Sequence, residues 1–201
     1  MFKTEPGKDR ELLGFKEEVL SSFEFLTKEY GFHCVRSEPT FVRYESENVF
    51  VNVYHGRASF EIGVEIGKLI TEPNQEEEKF YLGEIMELQG VRKNVGYTFI
   101  QASTKERVKR FVPEIAKYVK KFPVKVLQGD EDTLKKLREL QTQISQQYFK
   151  EMELSQIRQK GDKAWHERNY AEIVKLYEPV QSDLSPSEKM KLEYAKKKLE
   201  K

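Results

Sequence analysis

His33 stands beside Cys34, Glu61 and Glu65 recur four residues apart, and Arg43, His55 and Glu61 fall within one short stretch. These residues could make three kinds of chemistry: a thiol–imidazole nucleophile, a pair of acid and base carboxylates, or a pocket that binds or turns over a small molecule. Each has a geometric requirement. Neighbours in a strand point to opposite faces, so His33 and Cys34 cannot pair there, and Cys34 reads as a small core residue facing the same way as Phe32. Along "FEIGVEIG" the strand rise puts Glu61 and Glu65 roughly 13 Å apart. Paired glycosidase carboxylates need about 5–9.5 Å. The pocket reading needs Arg43, His55 and Glu61 within a few ångströms of one another around a concavity.

Other site chemistries lack their residues. Three histidines, a single cysteine and no CxxC or HExxH leave no usual zinc spacing, so no metal is expected. His55 in "YHGR" reads as a turn residue. No Walker loop, dinucleotide fingerprint or nucleophile elbow occurs, and no cofactor is expected.

The elements that must position these residues are legible from periodicity. Leu12, Phe15, Val19, Phe23, Leu26 and Tyr30 recur at helical spacing after a cap at Asp9 and stop at Gly31. Alternation then predicts strands over about 32–36, 40–45, 48–54 and 58–66, and the short links make neighbours antiparallel. A polar loop over 71–79 follows the loose start marked by Pro6 and Gly7. A short helix over 80–90 and a strand over 96–102 come next. Ser103 and Glu106 offer a capping box to a helix whose buried stripe runs through Val108, Val112, Ile115 and Val119. Pro113 inside it predicts a kink or a late start. A further helix opens at "GDEDT", with Leu134, Leu137, Leu140, Ile144 and Tyr148 in register. Beyond about 130 the β signal ceases. The expected fold is α+β: an antiparallel sheet of about four to five strands packed with helices over 1–129, followed by an all-α tail over 130–201.

One face of the predicted 58–66 strand carries Glu61, Gly63, Glu65 and Gly67. Such a face is low, and leaves room for a partner's backbone to approach, with Arg43 as a cross-strand partner for either carboxylate. The net charge of +1 gives no global reason to bind nucleic acid or an acidic membrane. Acids nevertheless cluster over 72–87 and bases over 105–125, the latter including Lys109 and Lys117. The basic helix 105–125 is therefore a candidate for an acidic partner or for nucleic acid. One cysteine excludes an intrachain disulfide and suits a reducing compartment. The N-terminal residues read as neither signal peptide nor membrane span, so a cytoplasmic protein is expected.

Residues 157–185, "IRQKGDKAWHERNYAEIVKLYEPVQSDLS", resemble a single tetratricopeptide repeat through Gly161, the "ERNY" turn, Tyr170 and Tyr177. Lys160 replaces a usual Leu, and Ile173 and Val180 replace small alanines, so wider packing than in a regular array is implied. Ser185, Pro186 and Glu188 then start a helix whose Met190, Leu192, Tyr194, Ala195 and Leu199 would cover the hairpin's open end. Such hairpins imply protein contacts, here around Trp165. The N-terminal half with "YVKKFPVKVLQGDEDTLKKL" is similar to small bacterial proteins found near toxin and defence genes. Taken together, the expectation is a non-enzymatic interaction protein, an immunity or adaptor protein that binds and masks a partner such as a toxin. Its candidate surface residues are Arg43, Glu61, Glu65, Lys109, Lys117 and Trp165. The alternatives are an enzyme or ligand-binding protein using Arg43, His55 and Glu61, and nucleic-acid binding through 105–125.

Overall fold

The computed structural model describes residues 8–70 and 77–200. Pro6, Gly7 and most of the polar loop expected at 71–79 lie outside them. The chain divides into two compact units, Met1–Gln141 and Thr142–Lys201.

The first unit is α+β. Three short helices, α1 (Lys8–Glu11), α2 (Phe15–Ser22) and α3 (Glu24–Tyr30), replace the single N-terminal helix that periodicity predicts. The first break falls at Gly14, whose φ of 67° is left-handed, and the second at Phe23 between α2 and α3. Asp9 therefore lies inside α1 instead of capping a long helix, and Leu12 turns out to solvent.

Strands β1 (His33–Glu38), β2 (Phe41–Glu45), β3 (Val49–His55), β4 (Glu61–Lys68) and β5 (Lys79–Tyr81) follow, each antiparallel to the next. The short β6 (Ile100–Gln101) pairs with β4. The register sets Val42, Val53 and Val64 side by side, and Tyr44, Val51 and Ile66 likewise. These side chains form the buried face on which the helices pack. Each fully buried side chain of this kind contributes about 1.5–3 kcal/mol.

The expected helix over 80–90 begins as β5 and continues as α4 (Leu82–Leu88). Helix α5 (Lys105–Lys121) buries Val108, Val112, Ile115 and Val119 against the same core, and α2 packs on it. It starts well before Pro113, so no late start occurs. Its cap is Thr104, one residue beyond the expected Ser103, with Thr104 Oγ1 accepting from the Arg107 amide at 3.3 Å. After α6 (Val124–Leu127), helix α7 (Glu131–His166) opens at Asp130, whose carboxylate accepts from the Thr133 amide. Its Leu134 and Leu137 are buried in the first unit's core, while Ile144 and Tyr148 are exposed.

The second unit is all α. It holds the remainder of α7, α8 (Tyr170–Tyr177), a 3-10 turn over Glu178–Asp183, and α9 (Pro186–Leu199). Its core is Ala164, Ile173, Tyr177, Leu184, Leu192 and Ala195. Gly161 is buried directly against the Tyr177 ring, where any Cβ would overlap it. Ser185 and Glu188 form the expected capping box, and Arg158 binds both Glu188 and the Asp183 carbonyl.

No helix among the described residues is long and apolar enough to cross a membrane.

Candidate binding groove

The sheet face opposite the core brings several of the expected residues together. Arg43, Asn52, Glu65 and Tyr81 occupy one row across β2–β5. Arg43 donates to Glu45 at 2.6 Å and to Glu77 at 2.9 Å, and its guanidinium lies 4.3 Å from the centre of the Phe50 ring. The hydrogen bonds to Glu77, with Glu45 adding to them against the cost of burial, raise the Arg43 pKa above its already high ordinary value. Glu65 is buried, accepting from Lys79 at 2.9 Å and from Asn52 at 3.2 Å. Among the described residues Arg43 reaches Glu65 through Asn52, and not as the cross-strand partner expected.

The room expected beside the glycines is taken by the chain itself. A Cβ at Gly63 would overlap the Tyr54 ring, and one at Gly67 would meet the Glu78 carbonyl and the Phe50 ring. Glycine is needed here because neighbouring groups already lie on the strand.

The Arg43, His55 and Glu61 pocket does not form. His55 is the last residue of β3, not a turn residue, and it points into the helix-covered face, away from Arg43. It is 3% exposed, stacked on Phe15 at 5.2 Å, with Nε2 donating to the Ala102 carbonyl at 2.9 Å. Nδ1 has no partner. Burial pushes the His55 pKa down, more than the Ala102 bond raises it. The adjoining Arg10 side chain donates to the carbonyls of His55, Gly56 and Arg57, tying α1 to the β3–β4 turn. Glu61 lies on the opposite sheet face, near Tyr97, whose phenol is pushed up to about 12 by burial and secondarily by Glu61.

Cys34 is exposed, which corrects the expectation of a core thiol. It sits on edge strand β1, all of whose residues are exposed, next to an irregularity that leaves Val35 without a partner on β2. His33 is exposed on the same strand. No group of three or more His, Cys, Asp or Glu among the described residues is placed to hold a metal ion. On α5, Lys109 and Lys117 are exposed, whereas the unit's aromatic side chains are largely drawn into its packing.

The second unit carries an open groove of about 740 Å³ around Trp165. The sequence builds it in three steps. Trp165 lies in the last turn of α7. The chain then reverses through Arg168, whose φ of 56° lies in the left-handed region, and Asn169 caps α8 by accepting from the Glu172 amide. This places Tyr170 beside Trp165. Helix α9 then buries Leu192 and Ala195, so Met190 and Tyr194 fall on its outer side, 68% and 45% exposed. They form the groove's wall instead of covering the hairpin's end.

The three rings make a closed edge-to-face set. Trp165 and Tyr170 are 6.3 Å apart, Trp165 and Tyr194 5.6 Å, and Tyr170 and Tyr194 5.7 Å, with interplanar angles of 66–70°. Such pairs contribute about 0.5–1.5 kcal/mol beyond their area, so the rings hold one another in place. The Lys191 ammonium lies 5.7 Å from the Trp165 ring centre while pairing with Asp162 at 2.8 Å. Lys198 lies 5.3 Å from the Tyr194 ring centre. Arg168 completes a rim whose only charged side chains are cations. Sequence reading finds Trp165 as a contact residue but misses Tyr170, Met190 and Tyr194 as its companions. The available signal is the i,i+4 pair Met190 and Tyr194 on a helix whose buried positions are Leu192 and Ala195.

No family model matches the chain, and neither a curated protein nor a solved structure matches it.

Proposed function

We propose that this chain is a non-enzymatic protein-interaction module and that the groove around Trp165 is its binding surface. The observation that carries the reading is the combination of a preorganised aromatic floor with a large exposed methionine beside it. Aromatic residues and methionine are the side chains most enriched where partners dock, because they bring large contact area and, for the rings, little ordering cost. The groups capable of chemistry point the same way. His55 is sealed in the core, Glu65 is consumed by Lys79 and Asn52, and the exposed Cys34 thiol on edge strand β1 donates to the Arg36 carbonyl.

The specific role that the sequence resemblance favours is an adaptor or immunity protein that masks a partner such as a toxin, within the cytoplasm. Pull-down from the native host tests it. One stoichiometric protein should be retained by the natural chain and lost with Trp165→Ala, while circular dichroism of the variant stays unchanged. Retention by Trp165→Ala, or clean elution with no bound protein from the natural chain, would overturn the proposal.

A further inference from the structure

We infer that the segment bound in the groove carries carboxylates beside an apolar anchor, and that Arg168 is its principal carboxylate receptor. The inference rests on the groove being the interaction surface. It adds the partner's chemistry and the residue that reads it.

Three observations converge. The charged side chains lining the groove are Arg168, Lys191 and Lys198, with no carboxylate among the lining residues. Lys191 is engaged by Asp162, but neither Arg168 nor Lys198 has an ion-pair partner among the described residues. Unspent cations at the rim of an apolar floor complement a segment with acids flanking a Leu- or Phe-like anchor. Arginine in particular presents a planar fork that takes a carboxylate through two parallel hydrogen bonds.

The backbone at Arg168 supplies the independent observation. A residue that ends a helix in the left-handed region is most often glycine, sometimes asparagine, because a Cβ there is strained. Arg168 occupies that position at φ 56°, with its amide on the Trp165 carbonyl and the following Asn169 amide on the Ala164 carbonyl. The turn would be more stable with glycine, so the guanidinium stands here at a cost to the fold. Backbone strain borne by a side chain at the mouth of a groove is a feature that functional residues share.

The same groove would be read differently by a single-stranded nucleic acid, which needs free ring faces on which bases stack. Here the three rings meet pairwise edge to face, so ring faces are taken up by neighbouring edges, and ammonium groups lie over the Trp165 and Tyr194 rings. The geometry favours an acidic peptide.

Trp165 is the chain's single tryptophan, so indole emission reports on the groove alone. The full chain is titrated with the blocked hexapeptide Asp-Glu-Leu-Phe-Asp-Glu, its amide counterpart Asn-Gln-Leu-Phe-Asn-Gln, and a short oligouridylate. The acidic peptide should shift the emission, bind more weakly as salt rises, and lose about tenfold in affinity with Arg168→Gly but only about threefold with Lys198→Gln. An equal or larger loss with Lys198→Gln would overturn the assignment of Arg168 as the principal receptor. Arg168→Gly should also melt about 2–4 °C higher, a rise that a merely structural arginine would not produce. Equal binding of the amide peptide would overturn the carboxylate inference and leave the groove proposal standing. Binding that survives Tyr170→Ala combined with Tyr194→Ala would bring down both. Binding of the oligouridylate alone, or no response to any probe, would also overturn the inference.

Discussion

Gly161→Ala in the second unit gives a test whose sign separates two descriptions of the helical hairpin. In a solvent-exposed helix, replacing glycine by alanine stabilises by about 1 kcal/mol through propensity alone. Here Gly161 lies in α7 directly against Tyr177 at the end of α8, and a Cβ would overlap the ring and its hydroxyl. Tyr177 is fully buried, so the ring has no exposed side to which it can retreat. Overpacking of this kind costs about 1–3 kcal/mol. Set against the propensity gain, the net change is a loss of up to about 2 kcal/mol. A unit of this size then melts lower by about 4–8 °C per kcal/mol.

Thermal melts of Gly161→Ala, Tyr177→Leu and the double variant complete the cycle. The expected coupling is about 0.5–3 kcal/mol, with the double variant more stable than the sum of its parts. A higher melting temperature for Gly161→Ala alone would refute the close approach of α7 and α8. The placement of Tyr170 against Trp165 would then lose its support.

Stability of the first unit should fall on acidification through His55. Its folded-state pKa is depressed, so the unfolded chain takes up the proton first and stability rises with pH. That contribution is complete above the ordinary histidine value of about 6.5 and is lost as pH falls through the folded value. Urea melts of His55→Gln against the natural chain should therefore show a flatter pH dependence below neutrality, and parallel profiles would contradict the assignment. Gly67→Ala should destabilise the same unit by about 1–3 kcal/mol, because the obstacle is the Glu78 backbone carbonyl together with the Phe50 ring. A shift of the urea midpoint at unchanged slope is the measurement.

Much of the sheet was legible because alternation and core packing agree: Val42, Val51, Val53, Val64 and Ile66 sit at every second position and all face the helices. The misreadings share a cause, namely that periodicity does not report what lies above a residue. Cys34 alternates correctly, yet sits on an edge strand where its surroundings are exposed. Gly63 and Gly67 look like open ground until the Tyr54 and Phe50 rings and the Glu78 backbone are placed over them. Gly14 lies within an apolar repeat and interrupts it only through its backbone angle. The groove was the least legible part. Trp165 reads as a contact residue, but Tyr170 reads as part of the hairpin and Tyr194 as a cover for its end, and the three converge only after the chain reverses at Arg168 and again through the 3-10 turn before α9.

The central claim is that a partner occupies the groove on the second unit. A photo-crosslinking amino acid installed in place of Met190, and in a parallel chain in place of Lys117, tests it most directly in the native host. The account predicts one saturable adduct from position 190, absent when Trp165→Ala is added and displaced by the acidic hexapeptide, with none from position 117. An adduct formed only from position 117, or one from position 190 indifferent to Trp165→Ala, would contradict it.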